Sequence, residues 1–179
     1  MSGHSKWAQI KYKKAATDAK RGKIFSKLAR IITIAAKEAG PDPKTNSRLA
    51  AAIDEAKREN LPNDNIERAI KKAASKDGAE LKEVVYEAYG PGGSAVIITT
   101  VTDNSNRTTS EIKHLLADHG AKLGVEGSAM WAFTKQGKDF TAKFPMTLSE
   151  SDSKKFEALL SALDDHDDVQ EVYSNAEMP

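Results

Sequence analysis

The sequence predicts an α+β protein, with an N-terminal three-helix bundle followed by an antiparallel-sheet sandwich carrying two helices on one face. Three observations carry this. Apolar residues recur at spacings of three and four through residues 21–78, the period of a buried helical face. Beyond residue 79 the pattern changes to β-branched runs punctuated by glycine and proline. Strand-like and helical segments then follow in the order ββαβ–αβ, which favours helices gathered on one side of a sheet.

Ile24, Phe25, Leu28, Ile31, Ile32, Ala35 and Ala36 share one face of a first helix. Gly40-Pro41 ends it, because glycine supplies a left-handed cap and proline bars continuation. A second helix starts near residues 45–47, runs through Leu49, Ala52, Ile53 and Ala56, and ends near Asn60. Asp64 with Glu67 three residues on resembles a capping box, opening a third helix through Ile66, Ala69, Ile70 and Ala73. Residues 75–78 form a linker. Residues 84–89 are strand-like, and Gly90-Pro91-Gly92-Gly93 forces a turn whose glycines adopt positive φ. That segment lacks the lysine and hydroxyl ending of a phosphate loop. Residues 95–101 are a β-branched run suited to a central strand. Residues 110–119 form a helix with Ile112, Leu115 and Leu116 inward, stopped by Gly120. Residues 128–133 are expected to be a third strand, with Ala129, Trp131 and Phe133 on one face. A helix over 151–163 and a strand over 169–173 complete the order.

The chain of 179 residues contains no cysteine, which excludes disulfides, thiolate metal sites and cysteine nucleophiles. Its apolar stretches are too short to span a bilayer, and its start lacks an apolar signal core, so no membrane association is expected and the cytoplasm is the expected location. The net charge is only +1, yet it is divided unevenly. Residues 1–78 hold 18 Lys/Arg and 9 Asp/Glu, whereas residues 79–179 hold 9 and 17. The first thirty residues concentrate this, with seven lysines and two arginines against the single acid Asp18. The reading is a basic arm over 1–20, a helical domain over 21–78 and an α+β domain over 79–179.

Trp7, Tyr12 and Phe25 are spaced among those cations. Cations mixed with flat rings suit a polyanion that also offers stackable bases, which means nucleic acid. A solvated tail is the competing reading of any charge run. The candidate phosphate contacts are Lys6, Lys11, Lys13, Lys14, Lys20, Arg21, Lys23, Lys27 and Arg30, with Trp7 and Tyr12 stacking on bases. Arg107 is a further candidate, in the segment Asp103-Asn104-Ser105-Asn106-Arg107-Thr108. There, N-capping of the next helix and anion capture at its start are equally open. No helix-turn-helix and no base-reading set of side chains stands out, so binding is expected to tolerate sequence. The four histidines lack ligand spacing, and the acidic run 164–168 lacks the glycine and terminal glutamate of a calcium loop. No acid, base and nucleophile assemble into a catalytic frame. The reading is therefore no catalytic residue, no metal, no cofactor and no small-molecule substrate.

Five ordered segments together resemble the YebC/PmpR family, which includes the mitochondrial translational activators of cytochrome oxidase. They are Gly3-His4-Ser5-Lys6-Trp7, Asp18-Ala19-Lys20-Arg21-Gly22-Lys23-Ile24-Phe25, Tyr86-Glu87-Ala88-Tyr89-Gly90-Pro91-Gly92-Gly93, Thr102-Asp103-Asn104-Ser105-Asn106-Arg107-Thr108 and Asp167-Asp168-Val169-Gln170-Glu171-Val172-Tyr173-Ser174-Asn175. Ala88 stands where glycine is usual, and Ser174 where histidine is usual. Typical members insert a third domain where this chain has only residues 134–150. The resemblance implies a three-helix domain joined to α+β domains, no enzymatic activity, and a regulator that contacts a phosphate backbone. Members are known both as DNA-binding transcriptional regulators and as ribosome-associated translation factors. The absence of a major-groove reading element favours rRNA and the ribosome over DNA. A protein-interaction module is the third reading, and the oligomeric state stays open.

Overall fold

The computed structural model describes residues 1–13, 17–76 and 80–179, with the side chains of residues 12 and 13 outside that description. The chain divides into two compact units, Ala15–Lys82 on one hand and Met1–Lys14 with Glu83–Pro179 on the other. Helix α1 (Gly3–Lys13) belongs to the second unit. The first is built from α2 (Asp18–Ala39), α3 (Ser47–Arg58) and α4 (Asn63–Ala74).

The three helices bury the apolar face the sequence displays. Leu28, Ile32, Ala35 and Ala36 of α2 join Leu49, Ala52 and Ala56 of α3 and Ile66 and Ala69 of α4 in one core. Alanines at these contacts let the helix axes approach closely. Gly40 ends α2 with a φ of 98°, a conformation that excludes most side chains. Asn46 then ties two helices together. Its side chain accepts from the Leu49 N–H at 3.0 Å, capping α3, and donates to the carbonyls of Ala35 and Gly40 at 2.7 and 2.8 Å. The capping box expected at Asp64 does not form. Pro62 occupies the cap without a side-chain bond, α4 starts at Asn63, and Asp64 sits in the first turn where it complements the helix dipole.

The second unit runs β1 (Lys82–Tyr89), β2 (Ala95–Thr102), α5 (Ser105–Asp118), β3 (Lys122–Leu123), β4 (Phe133–Gln136), β5 (Asp139–Ala142), β6 (Met146–Thr147), α6 (Glu150–Asp165), β7 (Val169–Ser174) and β8 (Ala176–Glu177). Four strands form one sheet in the order β3-β1-β2-β7. β2 pairs antiparallel with β7, Ile97 opposite Tyr173 and Ile98 opposite Val172. β2 alternates as a two-sided strand must. Val96 and Ile98 pack with Ile112 and Leu116 of α5 and with Phe156, Leu159, Leu160 and Leu163 of α6. Ala95 and Ile97 face Phe133 and Phe140 of the β4–β5 hairpin and Tyr173. Two helices therefore cover one sheet face, as the period change predicts, and a hairpin covers the other.

Two further expectations change. Residues 128–133 are not a strand. Met130–Ala132 form a short 3₁₀ turn, and Trp131 points outward while Ala129, Ala132 and Phe133 are buried. The cause is Glu87 on β1, whose buried carboxylate accepts the backbone N–H groups of Gly127, Ala129 and Met130 at 2.5, 3.0 and 2.6 Å. A charged acceptor with three donors holds the chain in a turn that a ladder could not provide. Nor are residues 1–13 a free arm. Helix α1 packs on α6 and on β7, the outer strand of the sheet, and Trp7 enters the core of the sheet and helices at 1 % exposure. Covering an edge strand also removes a row of unpaired backbone groups from solvent.

Candidate nucleic-acid interface

On α2, Lys20, Lys23, Lys27 and Arg30 follow spacings of three, four and three, which brings them onto one stripe of the helix. Lys23 is exposed, Lys20 and Arg30 are half-buried, and Lys27 is buried at 8 % exposure. Arg21 lies off this stripe and pairs with Asp18 at 2.9 Å. Alongside, α2 and α4 enclose a groove lined by Ser26, Arg30, Thr33, Asn65, Arg68 and Lys72. Thr33 forms its floor, its hydroxyl within bonding distance of the Ala29 and Ala69 carbonyls at 3.0 and 2.9 Å. The groove continues past Lys37 and Lys76 to Glu80. There, the Lys37 ammonium, bonded at 3.0 Å, holds the Glu80 carboxyl below its ordinary range, with Lys82 adding a smaller attraction. Arg68 and Lys72, one turn apart on α4, were not among the sequence candidates. Their spacing was visible, but an i, i+4 cation pair reads by default as a solvated helix face.

The candidates in the second unit are placed differently. Trp7 is buried, and its indole N–H donates to Glu171 at 3.0 Å. Lys11 pairs with the same carboxylate at 2.6 Å, and Lys6 pairs with Glu157 at 3.1 Å. In this conformation Trp7 cannot stack on a base. The Tyr12 and Lys13 side chains, and all of Lys14, lie outside the described residues.

Arg107 sits in an acidic clamp. Its guanidinium reaches Asp168 at 2.8 Å, Asp103 at 3.0 Å and Glu111 at 3.8 Å. The hydrogen bond and attraction of Asp168, with a smaller contribution from Asp103, raise its already high pKa further. Asn104 caps α5 by accepting the Arg107 N–H at 3.1 Å. Both contacts help hold the start of α5 in place. Glu111, His166 and Asp168 bring three potential metal-ligating atoms within 4.8 Å of one another. His166 is already bonded to Glu111 at 2.8 Å, and the nearly inaccessible Asp168 already accepts from Thr108 at 2.8 Å as well as from Arg107. These donors are joined in one network of hydrogen bonds and ion pairs with Arg107 and Thr108. The turn at residues 90–93 is also structural. Gly92 has a φ of 72°, and a Cβ there would come within 2.9 Å of Leu148. Among the described residues, no helix is long and apolar enough to cross a membrane.

Comparison with known proteins places these features in a family. Residues 5–76 match the TACO1/YebC protein N-terminal domain, and residues 81–140 and 135–176 match the TACO1/YebC second and third domain. A probable transcriptional regulatory protein of Thermoanaerobacter pseudethanolicus is 41 % identical over 240 aligned positions, covering 99 % of this chain and 98 % of the relative. Another from Chlorobaculum parvum is 45 % identical over 194 positions, covering 100 % of this chain and 77 % of the relative. The crystal structure of a conserved hypothetical protein, Aq1575 from Aquifex aeolicus, superposes with a TM-score of 0.88 at 35 % identity, covering 97 % of each chain.

Proposed function

The chain belongs to the TACO1/YebC family, and we propose that it is a non-enzymatic, cytoplasmic, nucleic-acid-binding regulator of gene expression that acts on RNA as a ribosome-associated translation factor. The observation that carries this is the cationic groove of the helical unit, where Arg30, Arg68 and Lys72 converge beside a lysine stripe. Such a surface tracks a phosphate backbone and leaves sequence unread. The relatives' shared description as probable transcriptional regulatory proteins favours a second reading, a DNA-binding regulator using the same groove. RNA is preferred because the groove offers cations on two packed helices rather than one helix presented for a major groove.

The test is titration of the full chain against a labelled single-stranded RNA and a DNA duplex over a range of salt, with Arg68→Ala/Lys72→Ala as the variant. Both side chains are exposed, so the fold should persist. Losing two phosphate contacts should reduce the slope of log K against log salt by about 1.4 on a single strand. Co-sedimentation of the intact chain with ribosomes, resistant to DNase and weakened in the variant, is the expected companion result. Tighter binding to the duplex than to RNA or ribosomes would transfer the assignment to transcription. An unchanged slope in the variant would remove the groove from the mechanism.

A further inference from the structure

Two large aromatic side chains of the second unit lie in solvent. Trp131 is 54 % exposed and Phe144 is 55 % exposed, and their ring centroids are 5.8 Å apart with the planes tilted by 35°. The backbone that carries both rings is tied down, and so is the Trp131 indole. The Trp131 indole N–H donates to the Ser128 carbonyl at 2.8 Å, which holds the polar edge of the ring. Its backbone belongs to the turn that Glu87 holds through three N–H groups. Beside Phe144, the Lys143 N–H donates to the Ala132 carbonyl at 2.8 Å, and the Phe144 carbonyl accepts from Asn175 at 2.9 Å. A rigid aromatic surface gives up little conformational entropy on binding.

The surrounding charge identifies the ligand. Of the three lysines between residues 131 and 144, Lys138 pairs with Glu83 at 3.3 Å and Lys135 lies over the Phe140 ring, so the cation shown beside the exposed pair is Lys143. The Lys143 ammonium lies 5.9 Å from the centre of the Phe144 ring. An apolar protein surface laid on the rings would desolvate this cation without an anion to meet it. A nucleotide supplies a flat base for the rings and a phosphate for the ammonium. We propose that Trp131 and Phe144 form a stacking platform for an unpaired nucleobase of RNA, with Lys143 meeting the adjacent phosphate. This rests on the nucleic-acid-binding function above and adds a second contact, on the other unit of the chain, that the basic groove does not supply.

The two tryptophans make the experiment direct, because Trp7 is buried and Trp131 is exposed. Titrating the full chain with a short oligoadenylate should quench the emission of Trp131. Trp131→Phe should remove the quench while keeping most of the affinity. Trp131→Ala and Phe144→Ala should each weaken binding by about 5- to 150-fold, the range of one lost base stack. Lys143→Ala should lower the salt slope by about 0.7. All three positions are exposed, so melting temperatures should stay near that of the unaltered chain. If RNA binds and depends on Arg68 and Lys72, yet emission and affinity ignore the alanine variants, the platform is overturned while the nucleic-acid function stands. The platform is equally overturned if Trp131→Ala leaves RNA affinity intact but abolishes self-association in sedimentation equilibrium. If neither RNA nor DNA binds the unaltered chain, the functional assignment fails and takes the platform with it.

Discussion

Replacing Trp7 separates a structural α1 from a mobile basic arm. Its side chain is 1 % exposed, packed in the core made by β2, β7, α5 and α6, and its N–H meets the Glu171 carboxylate at 3.0 Å. Trp7→Ala leaves a large void and should cost about 3–5 kcal/mol. Trp7→Phe keeps most of the ring but loses a hydrogen bond to a charged acceptor, worth about 1.5–3 kcal/mol. The lower end is expected, because Lys11 still satisfies Glu171 at 2.6 Å. The assay is urea unfolding followed by the emission of Trp131, which lies in the same unit and survives both substitutions. The midpoint should fall in the order unaltered, Phe, Ala, with little change in slope. A Trp7→Ala midpoint equal to that of the unaltered chain would mean that α1 is undocked in solution, and would return residue 7 to the set available for stacking. The result also governs how truncations are read. Deleting residues 1–20 removes a core tryptophan, so lost ribosome binding in such a chain would report unfolding as readily as a missing contact.

Two further outcomes test the clamp and the far face of the sheet. Arg107→Ala should lower the melting temperature, because it strips the cation from buried Asp168, while leaving the RNA affinity of the folded protein unchanged. Reduced affinity at an unaltered melting temperature would instead restore anion capture to this residue. Tyr173 donates to Asp139 at 2.8 Å, and burial first, then that hydrogen bond, push its phenol well above the ordinary range. The neutral form is thus favoured in the folded chain. The unfolded chain loses this proton first, near pH 10, so stability should fall as pH rises past that point. Melting temperatures between pH 9 and 11 should decline less steeply in Tyr173→Phe, and equal declines would refute the assignment.

What the sequence disclosed follows from how local each signal is. The helices of the first unit announce themselves because Leu28, Ile32 and Ala35 need only a neighbouring turn to define a face. The central strand is equally plain, since Val96 through Ile98 are apolar on both sides. Trp7 was misleading because its partner lies 164 residues away. Nothing in a run of lysines shows that Glu157 and Glu171 will come to meet two of them. Glu87 was hidden in a different way: a charged residue alternating along a strand reads as a solvent-facing position. Here it is 6 % exposed and organises the turn that turns Trp131 outward. The exposed tryptophan is thus read as sharing a strand face with Ala129 and Phe133 and the buried one as a base-stacking ring, each by a rule that holds only where tertiary partners are absent.

That exchange changes the electrostatics as well. By sequence halves the charge is 18 cations against 9 acids before residue 79, and 9 against 17 after it. With α1 assigned to the sheet-bearing unit, residues 15–82 hold 15 Lys/Arg and 10 Asp/Glu, and the remaining residues hold 12 and 16. The imbalance that would steer the protein onto a polyanion is therefore about half of what the linear sequence displays, and at physiological salt it is screened beyond about 8 Å. Long-range attraction alone is too weak to determine how such a molecule docks. On the proposals above, short-range contacts would have to do this, the Arg30–Arg68–Lys72 groove being one and the Trp131–Phe144 pair the other. A protein held mainly by steering would lose all of its affinity together as salt rises. One held by a groove and a stack should retain a salt-resistant remainder, and that remainder should disappear with Trp131 or Phe144 while surviving the loss of Arg68 and Lys72.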